Sequence, residues 1–69
     1  MNRRIKFRHL EAFICIARAR SLKVAADTLN LTQPAVSKTL KELESILGVT
    51  LMERVRAGVQ LRPEGEVFL

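Results

Sequence analysis

Between Thr32 and Lys41 the chain concentrates hydrogen-bonding side chains: Thr32, Gln33, Ser37, Lys38 and Lys41, with the compact Pro34 and Ala35 among them. A carboxamide presents a donor beside an acceptor, the pattern that pairs with an adenine edge. Lysine reaches guanine or phosphate, and hydroxyls and the free N–H groups of a helix start reach phosphate oxygens. Pro34 and Ala35 touch a thymine methyl without holding a helix away from the bases. Other chemistries are poorly supplied. There is no glycine-rich phosphate loop, no nucleophile–base set and no pair of carboxylates in an apolar setting, so no catalytic residue and no cofactor is expected. His9 is the only histidine and Cys15 the only cysteine, which excludes an internal disulfide and a multi-cysteine metal site. Cys15, between Ile14 and Ile16, reads as a buried thiol in a reducing cytoplasm. His9 reads as a packing or surface residue beside an apolar stripe.

The elements that must position these groups follow from periodicity. Leu10, Phe13, Ile14 and Ala17 recur at helical spacing and predict a first helix from Phe7 to Ala19. Ser21 is placed to cap a second helix carrying Leu22, Ala25, Ala26 and Leu29, ended by Asn30, a residue that tolerates the left-handed conformation. Thr32 is placed to cap a third, with Pro34 in its first turn and Gly48 just past its last apolar residue. Val36, Leu40, Leu43 and Leu47 lie within about 60° of one another on that helix, and Pro34, Ser37, Lys38 and Lys41 point the other way. Only Asn30-Leu31-Thr32 separates the second helix from the third, the spacing of a DNA-binding helix-turn-helix. Beyond Gly48 the period changes to alternation, with Val49 and Leu51 before Glu53–Gly58 and Val59 and Leu61 after it. That predicts a two-stranded hairpin whose tip is Arg54–Gly58. Pro63 then opens a fourth helix, whose Val67, Phe68 and Leu69 begin an apolar pattern.

Length and charge agree with this reading. A chain of 69 residues makes one small domain, which buries only about 60% of the surface its unfolded form exposes and gains from a partner. A hydrophobic share of 48% with few aromatics fits a helical core of Leu, Ile, Val and Ala, and no apolar run approaches the roughly 20 residues of a membrane span. No signal peptide is read at the start. Residues 1–41 carry nine Lys/Arg against Glu11 and Asp27, a net +7, whereas residues 42–69 carry three Arg against five Glu, a net −2. A basic half of this kind attracts polyanions.

The stretch NLTQPAVSKTLKELESILGVTLMER resembles the signature of the LysR-type transcriptional regulators. The residues that carry the resemblance are Thr32-Gln33-Pro34-Ala35-Val36-Ser37, Leu43-Glu44, Leu47-Gly48, Leu51 and Arg54, with Ala25-Ala26 and Leu29 before them and Pro63-Glu64-Gly65 after. It covers essentially the whole chain. It implies a mainly α, winged helix-turn-helix fold: a three-helix core, a two-stranded wing and the start of a linker helix. Residues 1–62 would form the DNA-binding domain, and residues 63–69 the beginning of a linker helix that pairs two subunits. It also implies a recognition helix over about residues 32–47 in the major groove of a palindromic operator in double-stranded DNA. The regulator would act in the cytoplasm as a homodimer or higher oligomer, with a small-molecule inducer bound by a C-terminal domain missing from this chain.

Carried over by position, Gln33, Pro34 and Ser37 meet base edges or nearby backbone, Thr32 and Lys38 meet phosphate or base, and Lys41 lies further along the same face. Arg54 and the wing tip with Arg56 approach the flanking minor groove or backbone. Four departures bear on this. Met52 stands where the family usually has Phe, implying looser wing packing. Ala57 holds the place of the usual wing arginine, with Arg56 one earlier. Arg62 replaces a usual Thr cap, implying a weaker start to the linker helix, and Arg20 stands where Gly commonly precedes the capping Ser. IKFRHLEAF and GEVFL resemble regulators of protocatechuate catabolism within this family. A winged helix that binds protein instead of DNA would carry an apolar or acidic front on the third helix; this one is small, polar and basic.

Overall fold

The computed structural model describes residues 4–67; Arg3, counted above toward the basic half, and Phe68 and Leu69, counted toward the apolar pattern of the fourth helix, lie outside the described residues. The elements run α1 (Phe7–Ala19), α2 (Leu22–Leu29), α3 (Gln33–Leu47), β1 (Met52–Val55), β2 (Gly58–Leu61) and α4 (Pro63–Glu66). This is a winged helix-turn-helix: three helices packed on one another, and an antiparallel hairpin as the wing.

The expected caps form. Ser21 Oγ accepts from Val24 N at 3.2 Å, and Thr32 Oγ1 accepts from Ala35 N at 3.2 Å, so each helix start satisfies one of its free donors. Asn30 closes α2 at φ 58° and Gly48 closes α3 at φ 75°. Phe13, Ile16, Ala25, Val36, Leu43 and Leu51 are each at most 1% exposed and join the three helices to the base of the wing. Ala25 and Ala26 have little bulk beyond the backbone, which lets α2 sit closely on its neighbours. Cys15 is half-buried against this core.

α1 is turned from the face its apolar stripe predicts. The buried residues are His9, Ala12, Phe13 and Ile16, one residue or about 100° round from Leu10, Phe13, Ile14 and Ala17. Ile14 is 38% exposed and Phe7 77%. The cause is His9. Its Nδ1 accepts from Lys6 N at 2.9 Å, which puts a proton on Nε2, 3.2 Å from Glu42 Oε1. With both ring nitrogens bonded, a histidine enters the interior without the penalty of an unsatisfied polar group.

The wing also differs from its predicted extent. Pairing runs Met52↔Leu61, Glu53↔Gln60, Arg54↔Val59 and Val55↔Gly58, so the turn is Arg56-Ala57 alone and Arg54 lies within β1. Val49 precedes the strand, because Glu44 captures the backbone that follows. Glu44 Oε2 accepts from Leu51 N at 2.8 Å and from Met52 N at 3.3 Å, replacing strand hydrogen bonds with a carboxylate anchored on α3. Met52 is 6% exposed and belongs to the core. Arg62 starts α4 without a side-chain cap; it pairs instead with Glu53 and Glu64, each at 3.5 Å. Gly65 lets α4 rest on the wing base, since a Cβ there would overlap the Leu51 carbonyl oxygen.

Arg20 adopts φ 54°, ψ 30°, a left-handed conformation that costs an L-residue of order 1 kcal/mol. Its N–H donates to Ile16 O and its carbonyl accepts from Val59 N, so the conformation is fixed by backbone bonds that glycine would keep. Arg20→Gly is expected to stabilise the chain by about 0.5–1 kcal/mol, raising the thermal midpoint by roughly 2–8 °C in a circular-dichroism melt. An unchanged or lowered midpoint would show that the Arg20 side chain supplies packing that offsets the strain.

Candidate nucleic-acid interface

The buried side of α3 is Val36, Leu40 and Leu43, and the opposite side is open to solvent. Thr32, Gln33, Pro34, Lys38 and Lys41 are exposed and Ser37 is half-buried. Pro34, Lys38, Lys41 and Ser45 fall at about 140–200° from Val36 and form the crest of the helix. Ser37 and Glu44 fall toward the wing, Glu42 and Ile46 toward α1.

Each side of that crest is concave. On the wing side a cleft is lined by Ser37, Lys41, Glu44, Glu53 and Arg54 over the buried Leu22, Leu40, Met52 and Val59. Arg54 faces this cleft because it shares a strand face with Met52 and pairs with Val59, both buried, at the outer end of that face. On the α1 side a wider groove is lined by Arg8, Pro34, Ser37, Lys38, Lys41 and Glu42, among others. The structure therefore brings Ser37 and Lys41 together with Arg54, and Pro34 together with Lys38. Arg56 is exposed at the hairpin turn and lines neither depression.

The Thr32 hydroxyl does two jobs at once. Its oxygen accepts from Ala35 N, and its proton remains directed by whatever acceptor approaches. Gln33 and Pro34 stand in the first turn of α3; Pro34 carries no N–H, and Ala35 N and Val36 N are taken by Thr32, so the positive helix end faces an approaching anion chiefly through Gln33.

Sequence reasoning missed the residues that reach α3 from α1. Arg8 Nη2 lies 3.4 Å from Glu42 Oε1, and His9 binds the same oxygen, across 34 and 33 residues. The pair holds the Glu42 carboxyl below the ordinary carboxylate range, the His9 hydrogen bond foremost, burial opposing it and Arg8 adding to the fall. In the sequence Arg8 is only one of the nine basic residues of the first 41, and a one-dimensional pattern has no term for a partner on another helix. Among the described residues no cluster of three or more His, Cys, Asp or Glu is arranged to hold a metal ion, and no helix is long and apolar enough to cross a membrane.

Comparison with known proteins agrees with this geometry. The family model described as bacterial regulatory helix-turn-helix protein, lysR family, matches residues 7–66. The HTH-type transcriptional regulator PcaQ of Agrobacterium fabrum is 51% identical over 69 residues, covering 100% of this chain and 22% of PcaQ. The crystal structure of the CbnR DBD–DNA complex superposes with a TM-score of 0.89 at 38% identity, covering 94% of this chain and 75% of that one. The BenM DBD/catB site 1 DNA complex gives 0.88 at 38% identity, covering 93% and 72%. The chain spans about a fifth of the length of the curated relatives it matches, 22% for PcaQ.

Proposed function

The chain belongs to the lysR family of bacterial regulatory helix-turn-helix proteins, a family of DNA-binding transcription regulators, and from that premise we propose that α3 enters the major groove of an operator and reads its sequence. The observation that carries this is the exposed face of α3: small hydrogen-bonding groups and two lysines stand opposite the buried Val36, Leu40 and Leu43, and Arg54 flanks the same face. Gln33, Pro34 and Ser37 meet base edges. Thr32, Lys38 and Lys41 meet base or phosphate according to their place along the crest. Arg54 takes the flanking backbone from the wing-side cleft, and Arg56 reaches outward from the turn toward the minor groove. A protein partner would ask for an apolar or acidic front, which α3 lacks.

α4 begins the linker helix, and two subunits joined through it occupy half-sites about one helical turn or a multiple apart on a palindromic operator. Control lies in a C-terminal domain that binds a small-molecule inducer. The stretches Ile5–Phe13 and Gly65–Leu69 resemble regulators of protocatechuate catabolism, which supports an aromatic acid as that inducer.

The test is salt dependence. With about four to six phosphates neutralised per dimer, log affinity for duplex DNA falls linearly with log salt at a slope near −0.9 per phosphate. A chain that is folded by circular dichroism but leaves duplex DNA unbound at micromolar concentration and low salt would overturn the proposal.

A further inference from the structure

A helix seated in a major groove meets a wall of phosphates on both sides, because the two strands of the duplex border the groove. In this chain the wing borders α3 on one side. The start of α1 borders it on the other, and there Arg4 and Arg8 line one open groove with Lys38 and Lys41. Among the described residues lining this groove, four cations accompany one carboxylate, Glu42, whose charge is already shared with Arg8 and with the His9 hydrogen bond. Ser37 and Lys41 line this groove and the wing-side cleft alike, so they stand on the ridge that divides the two. The cations of the α1-side groove and Arg54 of the wing-side cleft thus flank the crest of α3 as two backbones flank a groove.

We infer that Arg8, together with Arg4, forms a second phosphate-binding seat that holds the DNA strand on the side of α3 away from the wing. Arg8 is suited to the role. Its side chain is 56% exposed, and its pair with Glu42 is a solvent-exposed ion pair, the kind that holds a side chain only weakly. A guanidinium exchanges one carboxylate oxygen for two phosphate oxygens with a gain in geometry. Glu42 then keeps the bond from His9, which is 2% exposed and held by Lys6 N from the other side, so the groove floor does not have to move. The two arginines clamp the strand from outside while Lys38 meets it from the crest.

This seat rests on the DNA-binding reading above, and the experiment separates the two. Binding of the chain to a random-sequence duplex of about 25 base pairs is titrated against salt for the parent, Arg8→Gln, Arg4→Gln/Arg8→Gln and Glu42→Gln, with a thermal melt of each. Glutamine keeps a hydrogen bond to Glu42 but releases no counterion. Arg8→Gln is expected to bind roughly tenfold more weakly at 0.1 M salt with a slope shallower by about 0.9, and the double variant shallower by about 1.8. Glu42→Gln is expected to bind more tightly than the parent, since it removes the negative charge of the carboxylate that lines this groove. If the double variant keeps the parent's affinity and slope, the seat does not exist. If Glu42→Gln weakens binding as much as Arg8→Gln, Arg8 acts only through its ion pair and the inference fails while the DNA reading stands. A folded parent that leaves the duplex unbound overturns the DNA reading and the seat with it.

Discussion

Gly58→Ala is expected to destabilise the chain by about 3 kcal/mol or more, lowering the thermal midpoint by roughly 12–24 °C. Gly58 sits at φ 139°, where an L-residue is strained, and its Cβ would overlap the carbonyl oxygen of Arg20. That oxygen belongs to backbone, so no rotamer change relieves the clash. It also accepts from Val59 N at 3.1 Å, the bond that fixes the wing to the end of α1. To make room, β2 must move away from Arg20, which breaks that bond and lifts Val59, 8% exposed, out of the core. A strain of about 1–3 kcal/mol then adds to a similar cost for a lost backbone hydrogen bond. A domain this small holds little in reserve. Gly48→Ala is the control: φ is 75° there, but a Cβ would meet nothing within 4 Å, so only the backbone strain is felt. Thermal melts of the two variants beside the parent decide the matter. A Gly58→Ala chain melting within a few degrees of the parent would mean that the wing is not held where β2 and Arg20 place it.

That contact shows where the sequence could and could not be read. The caps at Ser21 and Thr32 and the stop at Asn30 are local devices, each acting within one turn, and the spacing of polar and apolar residues states them in full. The buried face of α3 is equally local. The same holds for the candidate site so far as it lies on one helix: Thr32, Gln33, Pro34, Ser37 and Lys38 stand on the solvent side because Val36, Leu40 and Leu43 must stand on the other. What required coordinates was every relation between elements. His9 is tolerated in the interior because Lys6 N and Glu42 satisfy its two nitrogens, and the buried face of α1 lies one residue round from the apolar stripe. Glu44 ended the apolar alternation at Leu51 by binding the backbone N–H groups of the wing base. Arg54 moved from the expected tip into the strand because a two-residue turn, Arg56-Ala57, closes the hairpin. The resemblance to the family had marked Arg20, Met52 and Arg62 as departures. For Arg20 the physical reason is now plain: the position is left-handed, and glycine occupies it without strain.

Gln33→Ala is expected to reduce preference for operator over random duplex by roughly 5- to 150-fold while leaving affinity for random duplex nearly unchanged. Gln33 is the first residue of α3 and exposed, between the Thr32 cap and Pro34. A carboxamide in that place offers an adenine edge a donor and an acceptor together, a pairing worth about 1–3 kcal/mol of discrimination, which converts to that fold-change. Alanine keeps the helix start and removes only the pairing, so the melting midpoint should stay within a few degrees of the parent. The phosphate contacts proposed for Arg54, Arg8 and the lysines do not depend on base identity, so the salt slope should be that of the parent. Lys38→Ala is the informative partner: equal weakening on both duplexes assigns Lys38 to phosphate, and loss of preference assigns it to a base. The measurement is competition between random duplex and an operator obtained by selection from a random pool with the parent chain. If Gln33→Ala retains the full preference, base reading is not carried by the first turn of α3, and the discrimination must come from Ser37 and Lys38 in the next turn or from the shape of the duplex under the wing.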